Sequence, residues 1–455
     1  MNKFLDDLMQ SNEFGEVSTP PVFKTGIDLL DYRNGRITYD SKGNKQITVG
    51  FNLGKIIGII GKPGSAKTTL AIQIITNMMK QMGDNKDISA FHYDFERSTS
   101  DERVLQLSKE TPDFLNQYIK FNSKIYQESV HSLLMKIREL KLGKPSGPKT
   151  KNPGVYDLSH AEKYLVEDPF NSGSNIMLPS FLLLDSISVM MPRDIILDEE
   201  QGTNMLAAAV AKANANFFRK IIGDLGDTMT TLFYVNHLTK KISINPMQPV
   251  SANINFLDPD ENMPGGRVIE YLTDLLIKLK TGKKIKASEE FGIDGFLVEA
   301  KFAKSRSNKA GVACALVFNP ETGYSNTLSN YLVLKNSGLV KGGGRGFYLE
   351  NYPERKFAQK EIETLYLEDK KFKKCFDQLL FPVLETYIPQ SKLVNDPYED
   401  SSTKEVFSGR PEKEIKKLPK IVVEMETDEG SIEVECYYDE KIDEYYDAET
   451  FEVLE

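Results

Sequence analysis

Cysteine is scarce in this sequence: Cys314, Cys375 and Cys436 are the only three, and they lie far apart. That spacing supports neither a disulfide framework nor a zinc site, so buried, reduced thiols are expected. Long hydrophobic runs are missing too. No apolar stretch approaches the length of a bilayer-spanning helix, and Met1–Asp7 has no basic region leading into an apolar one. A cytoplasmic protein with no membrane partner is therefore expected. No internal repeat is present. A strongly basic balance is lacking as well, because the formal net charge is −9. That figure belongs mostly to one end. Residues 421–455 hold 14 Asp or Glu and one Lys, net −13, which leaves 56 basic against 52 acidic groups, net +4, in residues 1–420. Such an acidic tail is either a solvated, disordered segment or a competitor with a polyanion for a basic surface of the same protein. The remaining composition, 40% hydrophobic and 27% charged over 455 residues, is that of a soluble chain of two or three domains, one with a large core.

What is present begins with Gly61-Lys62-Pro63-Gly64-Ser65-Ala66-Lys67-Thr68-Thr69, which follows the apolar run Ile56–Ile60 and precedes a helical pattern from Leu70 to Met82. Strand, tight turn and helix leave backbone N–H groups unpaired at a helix N-terminus, where the dipole also favours anions. Lys67 can reach terminal phosphates and the Thr68 hydroxyl can hold Mg²⁺. The glycine usual before the lysine is Ala66 here. The plain alternative is an ordinary Gly/Pro turn, but the flanking strand and helix favour ATP bound by Gly61, Pro63, Gly64, Ser65, Ala66, Lys67, Thr68 and Thr69.

Around this loop the pattern from Leu53 to Asn336 alternates strand and helix, which predicts an α/β fold with a mainly parallel sheet flanked by helices. Strands are expected at 55–60, 88–94, 180–185, 230–235, 274–280, 297–303 and 312–318. Helices are expected at 67–82, 101–110, 127–140, 203–225 and 326–337. Residues 1–52 would supply a short N-terminal helix (1–15) and a hairpin (36–50), as a cap or a subunit-packing element. The Gly/Pro/Lys/Asn-rich segment 143–179 reads as a surface insertion in the core 53–350. Residues 351–420 read as a small helix-rich region and a polar linker (398–417), and the acidic tail 421–455 shows two short strands, 420–426 and 431–436.

Three further strands end in polar residues at one sheet edge, where open α/β sheets bind ligands. Leu184-Asp185-Ser186 puts Asp185 where it can hold a Mg²⁺-bound water opposite Thr68. Tyr93-Asp94-Phe95-Glu96 offers Glu96 as general base, or else as a solvated acid or a partner for Arg97. Val235-Asn236-His237 offers two candidate γ-phosphate sensors, or a structural pair. Arg103, in the helix 101–110, is a further candidate ATP contact. Long loops at 192–204 and 239–263 carry Arg193, Lys240, Lys241 and Phe256 and end at Gly265-Gly266-Arg267. These suit a polyphosphate strand, although Asp258, Asp260 and Glu261 dilute the charge. Lys304 and Arg306, at the end of a late strand, are either a solvated face or groups that stabilise charge in a neighbouring subunit's ATP site.

In this order the elements resemble the RecA-type strand-exchange recombinases, particularly the phage UvsX branch, over residues 18–350. Phe23–Asp31 is similar to the segment that precedes the loop in these proteins, Asp94-Phe95-Glu96 to their catalytic-glutamate segment, and Leu184-Asp185-Ser186-Ile187 to their metal-binding strand. Residues 239–263 match the second DNA loop, Gly265-Gly266 the glycines that end it, and Lys304-Ser305-Arg306 the pair that reaches the ATP of the adjoining subunit. Asn319–Ser325 and Leu334–Val340 are similar as well. The resemblance implies a RecA-like P-loop ATPase core that uses ATP and Mg²⁺ and forms helical homo-oligomeric filaments on single-stranded DNA. It also implies pairing of that strand with homologous double-stranded DNA, a single-strand-binding protein or loader as a further partner, and the host cytosol as location if the chain is phage-encoded. The insertion, the hairpin and the longer C-terminal region depart from the family. A hexameric replicative helicase shares the core and a K-x-R segment, but its separate N-terminal helical domain is not seen before residue 53. A signalling ATPase that binds proteins without nucleic acid is the third class the charge balance leaves open.

Overall fold

The computed structural model describes residues 20–39, 43–83, 85–123, 125–143, 161–171, 173–197, 203–240, 257–258, 261–265, 267–288, 291–343, 346–389, 419–427, 430–439 and 444–447. The expected helix at 1–15, the linker 398–417, Lys241, Phe256 and Gly266 lie outside them. The chain divides into two compact units, Met1–Gln390 and Ser391–Glu455, and each is described by itself.

The first unit is built on a nine-stranded sheet. Its strands are β1 (Ile56–Gly61), β2 (Ser89–Asp94), β3 (Tyr118–Phe121), β4 (Ser180–Asp185), β5 (Thr230–His237), β6 (Leu275–Ile285), β7 (Gly295–Ser305), β8 (Ala313–Asn319) and β9 (Gly323–Ser325). They lie in the order β9-β8-β7-β6-β1-β5-β4-β2-β3. The six from β6 to β3 are parallel, and β7, β8 and β9 extend the sheet antiparallel. This is a RecA-like α/β core. Strands β3 and β9 were not legible as strands, because each is short and β3 mixes buried and exposed positions at the sheet edge.

Burial on both faces explains the near-continuous apolar strands. Ile57, Ile59, Phe181, Leu183, Phe233 and Val235 pack toward Ile72, Ile75 and Met79 of the helix Lys67–Lys80. Their alternates, Ile56, Ile60, Leu182, Leu184, Leu232 and Tyr234, pack toward Val130 and Leu134 of Gln127–Leu142 and Phe218, Ile221 and Leu225 of Thr203–Asp227. Parallel strands with helical crossovers put every strand's C-terminal end at one edge, and the candidate site is built there.

Flanking pieces attach to the same unit. Arg36–Tyr39 and Lys45–Thr48 pair as the expected hairpin. The described part of the insertion is a second hairpin, Leu165–Glu167 with Asn175–Met177, whose Phe170 meets Phe23 edge to face at 5.4 Å. Buried Lys141 ties its exit to the sheet by donating to the carbonyls of Leu178 (2.5 Å) and Thr228 (2.8 Å) and to Ser180 Oγ (2.9 Å). Residues 351–389 share the core of the first unit. Phe372, Phe376, Leu380 and Leu384 of the helix Lys370–Glu385 lie in the same apolar cluster as Phe302 and Leu316 of β7 and β8.

The second unit holds the two expected strands and adds a third. Lys420–Thr427, Gly430–Asp439 and Glu444–Asp447 form a three-stranded antiparallel sheet. Its apolar residues alternate with glutamates at period two, a strand pattern despite the charge.

Candidate active site

β1 delivers the chain to a turn at Lys62–Ala66, and the helix starts at Lys67. No side chain caps that helix and no acid lies in its first turn, so its free N–H groups and dipole are available to an anion. Gly64 has φ +75° with open space around it. At Gly61 a Cβ would come within 2.5 Å of Ser65 Oγ and 2.6 Å of the Leu279 carbonyl oxygen, so only glycine lets the strand end under the turn. Ala66 takes the left-handed conformation, φ 59°, ψ 33°, at a cost of about 1–2 kcal/mol for a residue with a Cβ. Ala66→Gly is therefore expected to raise the unfolding free energy by about 1 kcal/mol. A urea midpoint at or below that of the parent would refute the strain.

Lys67 is 4% exposed. Its Nζ donates to the Lys62 carbonyl oxygen at 2.8 Å. Burial pulls the ammonium down to about 8, while Asp185 and Glu96 pull the other way. The turn is braced from β9 by the Tyr324 hydroxyl, which donates to the Ala66 carbonyl oxygen (3.3 Å), while Gln73 Oε1 accepts from Tyr324 N (2.7 Å). Sequence reasoning missed this brace, since 251 residues separate Gln73 from Tyr324.

Asp185 ends β4, directly beside Asp94 on β2 and Val235 on β5. It is 1% exposed, and Thr68 Oγ1 donates to its Oδ2 at 2.8 Å, joining the two expected Mg²⁺ residues. Burial pushes the carboxyl up to about 7, against the pull of the Thr68 hydroxyl. Its Oδ1 is buried without a partner. An unused carboxylate oxygen beside a threonine hydroxyl is an all-oxygen donor set that suits a hard divalent cation.

Glu96 stands next to it. Phe95 N and Glu96 N both donate to the Asp185 carbonyl oxygen, at 2.7 and 3.3 Å. The Glu96 carboxylate accepts from Ser186 Oγ and lies 2.9 Å from His237 Nε2. Burial raises its pKa, but Ser186 and His237 outweigh burial and hold it below the ordinary carboxylate value. The side-chain partner of Glu96 is thus His237 rather than Arg97, whose backbone is left-handed at φ 55°. Ser186 is a site residue not singled out from sequence, and its adjacency to Asp185 was the available signal.

Asn236 is held by backbone groups. Its Nδ2 donates to the Pro264 carbonyl oxygen (2.7 Å) and its Oδ1 accepts from His237 N (2.9 Å). Pro264 closes the loop 239–263, whose base is a short ladder of Thr239–Lys240 with Glu261–Asn262. Lys278 on β6 holds that base through Glu261 (2.5 Å) and Asp258 (3.0 Å), so two of the acids that diluted the loop's charge are anchors. Gly265 takes φ +102° and Arg267 opens the helix Arg267–Leu272. Arg193 is exposed at the start of Arg193–Leu197, with its N–H on the Glu128 carboxylate at 3.1 Å. Arg103 donates to the Glu321 carbonyl oxygen (2.7 Å) and to Gln106 Oε1 (2.8 Å).

Lys304 and Arg306 are elsewhere. β7 runs antiparallel, so Ser305 pairs with Leu275, which faces Ile57 near the start of β1, whereas the phosphate loop follows Gly61. Four residues of strand, about 13 Å, separate the two levels. Lys304 donates to the carbonyls of Glu270 (2.5 Å) and Tyr271 (2.8 Å), and Arg306 donates to Tyr271 and lies 3.8 Å from Asp274. The pair sits on the edge opposite its own phosphate loop. A basic ribbon escaped the sequence reading. β6 continues past its pairing with β1, which ends at Leu279, and exposes Lys280, Lys283 and Lys284 beyond the loop edge.

A RecA-like P-loop core with a threonine–aspartate pair, a glutamate and a polar strand end converging on one edge defines the class. Comparison with known proteins agrees. The chain is 24% identical over 390 residues to the chromosomal RecA protein of Lactococcus lactis subsp. lactis (strain IL1403), covering 83% of each chain. It is 22% identical over 355 residues to RecA of Chlamydia trachomatis serovar L2, covering 78% of this chain and 82% of the relative. It is 23% identical over 285 residues to RecA of Mycoplasma mobile, covering 63% and 64%. No family model matches. Among the described residues no helix is long and apolar enough to cross a membrane.

Proposed function

We propose that this chain is an ATP-dependent DNA recombinase of the UvsX kind, which assembles as a helical filament on single-stranded DNA and pairs it with homologous duplex. The single observation that carries the reading is the placement of Lys304 and Arg306 on the edge opposite their own phosphate loop. From that edge they would reach ATP in another copy, stacked head to tail. The likeness to RecA over four-fifths of the chain supports a recombinase above a ring helicase.

ATP would lie with its phosphates on the N–H groups of residues 62–69 and on Lys67 Nζ, released from the Lys62 carbonyl. Thr68 and Asp185 would hold Mg²⁺, which supplies neutralisation of charge on the phosphate oxygens. Glu96 accepts the proton of a water whose oxygen bonds to the γ-phosphorus as the bond to the ADP oxygen breaks. His237 touches Glu96, and Asn236 touches Pro264. A change at the γ-phosphate is thereby handed along β5 to the base of loop 239–263, where Lys240, Lys241, Phe256, Gly265, Gly266 and Arg267 would meet DNA. Arg193 and the ribbon lysines 280, 283 and 284 are further candidate DNA contacts, and Arg103 is a candidate ATP contact.

Negative-stain imaging with single-stranded DNA and a slowly hydrolysed ATP analogue tests the reading. Extended helical filaments are expected. Closed six-membered rings would transfer it to the helicase class, and particles that ignore DNA would remove both.

A further inference from the structure

Behind Asp185 lies a buried polar group that the ATPase reading does not use. His92 is on β2, two residues before Asp94, and is 0% exposed. Strand register places it between Leu183 of β4 and Lys120 of β3. Its Nδ1 lies 3.2 Å from the hydroxyl of buried Tyr118, and its Nε2 faces Asp185 Oδ2 at 3.9 Å with no hydrogen-bond partner. Asp94 completes the cluster, all ligand atoms lying within 4.8 Å of one another, and Asp94 is already satisfied by Ser98 N (3.1 Å) and Thr99 N (2.9 Å).

Elementary electrostatics assigns the tautomer. A lone pair on Nε2 would point at the Asp185 carboxylate, whereas an N–H there is attracted to it. The proton therefore belongs on Nε2, and Nδ1 accepts from the Tyr118 hydroxyl. Two buried atoms of this pair of residues are then unmatched: the donor at His92 Nε2, which faces Asp185 Oδ2, and the acceptor at Asp185 Oδ1. Leaving such groups unpaired is unfavourable in the interior, so their joint presence calls for a role. Thr68 is at present the only side chain that donates to Asp185 among the described residues. That hydroxyl is also the expected cation ligand.

We infer that His92, oriented by Tyr118, is a positioning residue that holds the Asp185 carboxylate in place for the divalent cation of the nucleotide site. The inference rests on the ATPase reading above. Donors behind a ligating carboxylate typically change metal affinity 10- to 100-fold when removed.

The test is binding, without turnover, of a fluorescent non-hydrolysable ATP analogue to the full chain, titrated with Mg²⁺ and repeated in EDTA. His92→Phe, similar in shape and without a donor, is expected to raise the Mg²⁺ midpoint about 10- to 100-fold while affinity in EDTA stays at wild type. His92→Gln, which keeps a donor, should restore most of the shift. Tyr118→Phe, which loses only the orienting hydroxyl, should shift the midpoint in the same direction by less, and it carries the test if His92→Phe does not fold. An unchanged midpoint in the folded variants overturns the inference. So does an equal loss in EDTA, which marks a general distortion of the site. Tight Zn²⁺ or Mn²⁺ binding by the nucleotide-free protein that disappears in His92→Phe would also overturn it, by making His92 a ligand. Mg²⁺-independent or absent binding by the wild type would instead sink the ATPase reading, and this inference with it.

Discussion

Glu96→Gln is expected to bind ATP as the parent does and to lose turnover by about 10²- to 10⁴-fold, the usual worth of a positioned general base. The substitution is isosteric. The amide oxygen can still accept from Ser186, and the segment stays anchored because its backbone, not its side chain, is tied to the Asp185 carbonyl. What disappears is an acceptor for the proton of the attacking water. The neighbours hold this carboxyl below its ordinary value, so in the parent it is ionised throughout the neutral range. Phosphate release set against analogue affinity checks the expectation. Turnover within threefold of the parent would strip Glu96 of the role and return it to a structural contact of His237.

The second large effect concerns two chains at once. Arg306→Ala is expected to lower hydrolysis by about 10³-fold or more if it acts as an arginine finger. Mixed in equal amounts with Glu96→Gln it should recover about a quarter of the parental rate, because in a head-to-tail array one interface in four joins an intact Glu96 to an intact Arg306. The geometry behind this is the antiparallel turn of β7, which carries Arg306 to the level of Leu275 and Ile57, away from Gly61. Light scattering of each variant with single-stranded DNA verifies assembly. With assembly intact, no recovery at any mixing ratio means that the site is not shared, and the observation on which the filament reading rests would lose its meaning.

Much of the scaffold was legible because its signals are local. The run Ile56–Ile60, the turn residues Gly61 and Gly64 and the lysine–threonine pair follow one another in sequence. The helices at 127–142 and 203–227 ended within two residues of their expected limits. The convergence of Asp185, Glu96 and His237 was legible as topology, since parallel strands must end at one edge. Their pairings were not. Whether Glu96 met Arg97 or His237 depended on the approach of β5, 141 residues away. In the acidic C-terminal segment the two expected strands were legible from local alternation, whereas the third, Glu444–Asp447, is too short to show a period.

By itself the sequence determined a phosphate loop at the end of a buried strand, the acids that follow two further strands, and a core apolar on both faces, because each depends on residue type and near-neighbour spacing. Tertiary structure alone decided that His237 holds Glu96, that His92 stands behind Asp185, that Asp258 and Glu261 serve as anchors, and that Lys304 and Arg306 are turned from their own loop. Each of these depends on which strand lies beside which and in what direction, and no window of sequence contains that.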